Sequence, residues 1–165
     1  MEIPTRIEGS CHCGAVWFSC ESYAPAPYMH CYCSICRKVA GGGGFAINRG
    51  ARKESLAVEG EENGSVNRVR QADGGLGTLK RHFCKTCGLM LWALDETWPD
   101  LLHPFASAID APLPVPPERV HIMLDSKASW VPAPEGKGER HFAEYPDESL
   151  EVWHRRHGSL DGERT

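Results

Sequence analysis

A chain of 165 residues, 41% hydrophobic and with a formal net charge of −4, is long enough for one domain with a real but lean core. An acidic chain without a basic block is a poor nucleic-acid or anionic-membrane binder. No apolar run approaches the ~20 residues of a membrane helix. Glu2, Pro4, Arg6 and Glu8 leave no apolar stretch near the start, so no secretory signal is read there and a reducing cytoplasmic location is expected.

The 17 glycines and 12 prolines argue against long helices. In chain order, short strands are expected over 15–20, 45–48, 56–59 and 66–70. Arg49-Gly50, Gly60 and Asn63-Gly64 divide them. Residues 79–83 and 89–94 flank a turn at 85–88, and a further strand is expected over 120–124, after the Pro-rich stretch 112–117. Helical signal is confined to 34–40, stopped by the glycines at 41–44, and to 150–157, where Leu150, Trp153 and His154 fall near one face. Residues 132–138 read as a loop. Many short strands with Gly/Pro punctuation predict a mainly β fold with little helix.

Seven of the eight cysteines fall into three clusters. Cys11 and Cys13 form a Cys-x-Cys, Cys31, Cys33 and Cys36 a Cys-x-Cys-x-x-Cys, and Cys84 and Cys87 a Cys-x-x-Cys followed by Gly88. In extended backbone residues i and i+2 share a face, so each Cys-x-Cys presents two thiolates to one ion. A Cys-x-x-Cys needs a tight turn, which the following glycine permits. In a reducing compartment such spacing points to metal rather than disulfides.

A structural zinc takes four tetrahedral ligands, whereas a catalytic zinc keeps three protein ligands and an open position. Seven cysteines divide as four plus three: Cys11, Cys13, Cys84 and Cys87 for a closed site, Cys31, Cys33 and Cys36 for an open one. Counting alone leaves alternatives. These are two disulfides, an iron–sulfur cluster without the usual ferredoxin spacings, a second structural zinc completed by His30 or His82, and a contiguous set of Cys11, Cys13, Cys33 and Cys36.

At these residues the chain resembles the glutathione-dependent formaldehyde-activating enzyme family, which includes the centromere protein V-like proteins. The matching pieces are Gly9-Ser10-Cys11-His12-Cys13-Gly14-Ala15-Val16, Cys31-Tyr32-Cys33-Ser34-Ile35-Cys36-Arg37-Lys38, Phe83-Cys84-Lys85-Thr86-Cys87-Gly88 and His121-Ile122-Met123-Leu124-Asp125-Ser126-Lys127-Ala128-Ser129-Trp130. The likeness runs from about residue 6 to about 146. It implies a β-tent fold of short antiparallel strands stapled by two zinc ions, and a single zinc-binding domain over 1–146. Residues 147–165 are then a C-terminal tail with a short helix. The resemblance assigns Cys11, Cys13, Cys84 and Cys87 to the structural zinc and Cys31, Cys33 and Cys36 to the catalytic one.

The activity it implies is that of a carbon–sulfur lyase of the S-(hydroxymethyl)glutathione synthase kind, acting on adducts of glutathione with formaldehyde or a related aldehyde. Its partners are then a small thiol and an aldehyde, with no nucleic acid and no membrane. The competing reading is a zinc-stabilised binding module without turnover. Chromatin association is disfavoured, because the chain has no basic arm.

The family often has His where this chain has Tyr32, whose side chain should point away from the metal. The stretch 41–44 replaces a more usual Ser-Gly-containing one. Arg37, Lys38, Lys80 and Arg81 are expected to be solvated surface charges. His12, His30 and His82 are expected to pack or support ligands rather than ligate. Cys20 is expected to be a core thiol, and Trp17, Trp92 and Trp130 core aromatics.

Overall fold

Two cysteine-bearing turns organise the larger of two sheets. The computed structural model describes residues 5–22, 28–40 and 42–156. Strands β1 (Thr5–Ser10) and β2 (Trp17–Ser22) form an antiparallel hairpin in continuous register from Thr5 opposite Ser22 to Ser10 opposite Trp17. Strands β3 (Tyr28–Cys31), β4 (Ala46–Asn48), β5 (Ala51–Arg52), β6 (Ala57–Glu59) and β7 (Gly64–Asn67) follow. Strands β8 (Lys80–Cys84) and β9 (Met90–Leu94) make the second cysteine hairpin. Strands β10 (Leu101–Pro104), β11 (Arg119–Ile122) and β12 (Glu139–His141) complete the set. The described helices are α1 (Ser34–Val39) and α2 (Leu150–Arg156), with a few single 3₁₀ turns. None is long and apolar enough to cross a membrane.

The fold is thus mainly β, with short strands and little helix. The larger sheet runs β1-β2-β5-β10-β9-β8-β7, with β6 also pairing β2, and the smaller runs β12-β11-β3-β4. The larger sheet is antiparallel, as expected. The smaller is mixed: β11 runs parallel to both β3 and β12, with Ile122 opposite Cys31. A parallel pair needs a long crossover, and the stretch 123–138 supplies it between β11 and β12.

Alternation along the strands sorts the side chains. Ile7, Phe18 and Cys20 turn inward to a first core with Leu91, Trp92 and Leu102, where the Phe18 and Trp92 rings lie 5.2 Å apart. Cys20 is the buried thiol expected. A second core gathers Cys31, Cys36, Ala46, Ala93, Phe105, Val120 and Ile122. Of the three tryptophans expected inside, Trp92 is buried, while Trp17 and Trp130 are exposed. Trp17 is out of phase with Phe18 on β2, so it faces outward and donates its indole N–H to Gly14 O at 2.9 Å.

The strand expectations over 15–20, 45–48, 56–59, 79–83 and 89–94 fall on observed strands, displaced by a residue or two. The one over 66–70 lies over the end of β7, and the one over 120–124 gives way after Ile122 to a 3₁₀ turn. The C-terminal helix ends at Arg156, and the rest of the expected tail lies outside the described residues. Trp153 of α2 is 2% exposed and donates its indole N–H to Glu118 Oε1 at 2.8 Å.

Candidate metal centres

Two hairpins of the larger sheet, β1–β2 and β8–β9, close on cysteine turns. In the first, Gly14 N–H bonds Cys11 O and Cys11 N–H bonds Val16 O, both at 3.0 Å. In the second, Gly88 N–H bonds Cys84 O at 2.8 Å and Cys84 N–H bonds Leu89 O at 3.0 Å. Gly14 and Gly88 adopt φ of +76° and +78°, a region that L side chains rarely enter. These glycines let each turn fold its sulfurs inward. Asn63 lashes the two turns together, donating from Nδ2 to Ala15 O at 3.2 Å and accepting from Lys85 N–H at 2.9 Å.

The sulfurs gather as four and three. Those of Cys11, Cys13, Cys84 and Cys87 all lie within 4.8 Å of one another, as do those of Cys31, Cys33 and Cys36. Cys11 and Cys13 Sγ are 3.5 Å apart, and Cys13 and Cys84 Sγ 3.7 Å. A disulfide would need about 2.05 Å. A tetrahedral zinc with Zn–S bonds of about 2.3 Å sets its sulfurs roughly 3.8 Å apart, so the four-cysteine set has the spacing and donor chemistry that zinc asks for. The Val16 N–H donates to Cys11 Sγ at 3.2 Å, a bond that favours thiolate. Burial pushes the Cys84 thiol up, but the Cys87 and Thr86 N–H groups and the Cys11 and Cys13 thiols more than offset it and bring Cys84 down to about 6.

The triplet is built where β3 ends. Cys31 is its last residue, Cys33 caps α1 and Cys36 lies one turn in. Cys36 N–H donates to Cys33 Sγ at 3.3 Å. Among the three sulfurs, the Cys31 and Cys36 thiols donate to Cys33 and hold it far below the ordinary thiol range, with the Cys36 and Ile35 N–H groups adding to the effect. The same sharing, with burial, pushes Cys31 up. Three soft donors with one already favouring thiolate fit a zinc that keeps one position free.

The histidines stand aside, and no histidine joins either sulfur group among the described residues. His12 is exposed on the first turn rather than packed. His30 is buried, its ring 5.0 Å from those of Phe45 and His121. His82 stacks on Trp92 at 5.2 Å. Tyr32 is wholly buried, with its hydroxyl 2.9 Å from His121 Nδ1.

One residue near the triplet departs from what the sequence suggests, and a second is not marked in it. Arg81 is 4% exposed, not a solvated surface charge. It pairs across the sheet with Ala93, which packs with Cys31 and Cys36. The hydrogen bond with Cys31 draws the Cys36 thiol down, but the bond with Cys33, burial and the Cys33 charge push it up overall, and the Arg81 charge offsets part of that rise. Among the described residues no carboxylate pairs with Arg81. Tyr145 is the second. Its side chain is largely exposed, and its phenol is pushed up by partial burial and then by the charges of Cys31, Cys33 and Cys36, so it keeps its proton. A single tyrosine in a polar segment gives no signal of that in sequence.

Comparison with known proteins places this arrangement. The model of the glutathione-dependent formaldehyde-activating enzyme family matches residues 6–126. A Halomonas elongata protein named, provisionally, a glutathione-dependent formaldehyde-activating enzyme is 52% identical over 156 residues, 94% of this chain and 99% of that protein. The crystal structure of a Rhodobacter sphaeroides protein is similar with a TM-score of 0.53 and 29% identity, covering 66% of this chain and 92% of that one.

Proposed function

The chain belongs to the glutathione-dependent formaldehyde-activating enzyme family, and from that premise we propose that it is a carbon–sulfur lyase that joins glutathione to formaldehyde or a related aldehyde. In this reading Cys11, Cys13, Cys84 and Cys87 hold a structural zinc, and Cys31, Cys33 and Cys36 hold a second one with an open position. Residues 1–146 form the zinc-binding domain and 147–165 its tail, and the protein works in the cytoplasm. The observation that carries the reading is the second sulfur group: three thiols within 4.8 Å and, among the described residues, no fourth protein donor.

Bound to three thiolates, zinc supplies a seat on which a small thiol is held as thiolate, the nucleophilic form. The chain's own residues prepare that seat. Cys36 N–H steadies the Cys33 sulfur. The buried Arg81 guanidinium counters the net negative charge of three thiolates around a divalent ion. Tyr145, whose phenol feels the charges of all three thiols and keeps its proton, is an O–H donor suited to the oxygen that gains charge as a thiolate adds to a carbonyl.

The test is direct. Zinc-loaded protein mixed with glutathione and formaldehyde should accelerate hydroxymethyl-thiol formation over the spontaneous rate, and Cys33→Ser should remove the acceleration. Wild-type protein that merely reproduces the spontaneous rate would falsify the proposal for that substrate pair.

A further inference from the structure

Tyr32 separates Cys31 from Cys33, and its side chain is wholly buried. Its hydroxyl lies 2.9 Å from His121 Nδ1, and His121 Nε2 lies 2.6 Å from Glu139 Oε2. The other carboxylate oxygen of Glu139 pairs with Arg119. The His121 and Glu139 side chains are 1% and 6% exposed. These groups can be satisfied together. An ionised carboxylate only accepts, so His121 Nε2 donates to it. With the imidazole in its neutral form, Nδ1 is the acceptor that remains and the Tyr32 hydroxyl donates to it. One tautomer satisfies all three groups.

The main chain adds a second pin. Tyr32 N–H donates to Ile122 O at 3.0 Å. The residue between the two sulfurs is therefore held at two points by consecutive residues of β11, and β11 is held in turn by Glu139 of β12. Space filling does not need the hydroxyl: the Tyr32 ring already lies 5.2 Å from that of Phe45 and 5.7 Å from that of His121. What a fully satisfied buried polar chain adds is a single orientation.

We infer that Tyr32, His121 and Glu139 are positioning residues that hold the Cys31–Cys33 segment, and with it the open coordination position, in one geometry. The inference rests on the triplet being a metal centre. It reaches beyond that reading by giving a function to the tyrosine that replaces the more usual histidine. Groups that orient metal ligands from one step away typically affect metal affinity or activity by about 10–100-fold.

The test uses full-length protein and no aldehyde. Zinc release to a chromophoric chelator is followed in time, and 2-mercaptoethanol is titrated into cobalt-substituted protein to report the open position by its thiolate absorption. Tyr32→Phe should release the triplet's metal on the order of 10–100-fold faster and change the thiol-induced spectrum. The four-cysteine equivalent and the melting temperature should stay near wild type. Glu139→Gln keeps an acceptor for the His121 N–H and should release metal as wild type does, whereas Glu139→Ala should match Tyr32→Phe.

Unchanged release and spectrum in Tyr32→Phe overturn the inference, as does a parallel loss of both metal equivalents with stability, which marks a structural role only. Should Glu139→Ala fail to fold, Tyr32→Phe and Glu139→Gln decide alone. Wild-type protein that holds no second metal equivalent overturns the inference together with the metal reading. Absence of thiol–aldehyde turnover alongside the expected release rates overturns the proposed activity and leaves the inference standing.

Discussion

The sulfurs of Cys13 and Cys84 lie 3.7 Å apart although 71 residues separate them in the chain. Closing a loop of that length costs roughly 4 kcal/mol of chain entropy. Zinc held by four thiolates releases on the order of 10–16 kcal/mol in small peptides, while whole domains are stable by only about 5–15 kcal/mol. The larger sheet should therefore depend on that ion. Cys84→Ser should lose one zinc equivalent and most of its cooperative melt, read by metal analysis and far-ultraviolet circular dichroism. A variant that melts within a few degrees of wild type sinks the staple.

Arg81 offers a second check. A charge at short range in a partly dry site is worth a few kcal/mol. Arg81→Met keeps the length of the side chain and removes its charge, so kcat/KM for thiol–aldehyde condensation should fall by roughly tenfold or more. Arg81→Lys should recover part of it. Since the four-cysteine turns lie elsewhere, the first zinc equivalent should stay bound in both variants. Equal rates in Arg81→Met and wild type would show that the buried guanidinium serves packing alone.

What was readable in the sequence was what is local. The Cys-x-Cys and Cys-x-x-Cys spacings, with Gly14 and Gly88 after them, specify turns whose sulfurs converge within a few residues. The strands at 17–22, 80–84 and 90–94 carry enough aromatic and branched residues to show themselves. Strand β1 does not: Thr5–Ser10 has one large apolar residue, Ile7, and is a strand because β2 pairs with it along its length. Strand β10 ends in Pro104, a residue that argues against strands and is accepted here at the strand's last position. Contacts made over distance left no local sign. The Tyr32–His121 bond spans 89 residues, and Arg81 looks like any cation in a polar stretch until Ala93 across the sheet shows which face it occupies.

His103 on β10 sets a pH dependence. Burial, the largest cause, pushes its imidazole below the ordinary value of 6.5, and a hydrogen bond to the Arg49 backbone and the Asp95 charge recover only part of the shift. The sign follows. Between the folded value and 6.5 the unfolded chain binds more protons than the native one, so stability rises with pH across that window. It is fully present above 6.5 and is lost as pH falls towards the folded value. His30 and His82 are lowered by burial too, so denaturant midpoints at pH 5 and pH 7.5 should diverge in wild type and diverge less in His103→Gln. Equal divergence in both would assign the acid sensitivity to other groups.

Trp153 tests whether α2 belongs to the domain or only follows it. It lines a small cavity together with Met29, Val120, Arg140, Pro146, Glu148 and Ser149, and its indole N–H is answered by Glu118. Glu118 also pairs with Arg140 at 3.4 Å, and Arg140 with Glu148 at 2.6 Å. Removing the ring leaves a cavity and takes one of two donors from Glu118 Oε1, and Trp→Ala at a buried site costs about 3–5 kcal/mol. Val152, half exposed on the same helix, should tolerate Ser within about 0.5 kcal/mol. The pair separates docking from helix propensity, since both changes fall in one short helix. Denaturant unfolding should show a large loss for Trp153→Ala with metal content unchanged, because the ring meets neither cysteine set. Two variants of equal stability would make α2 an appendage, whatever its ring covers.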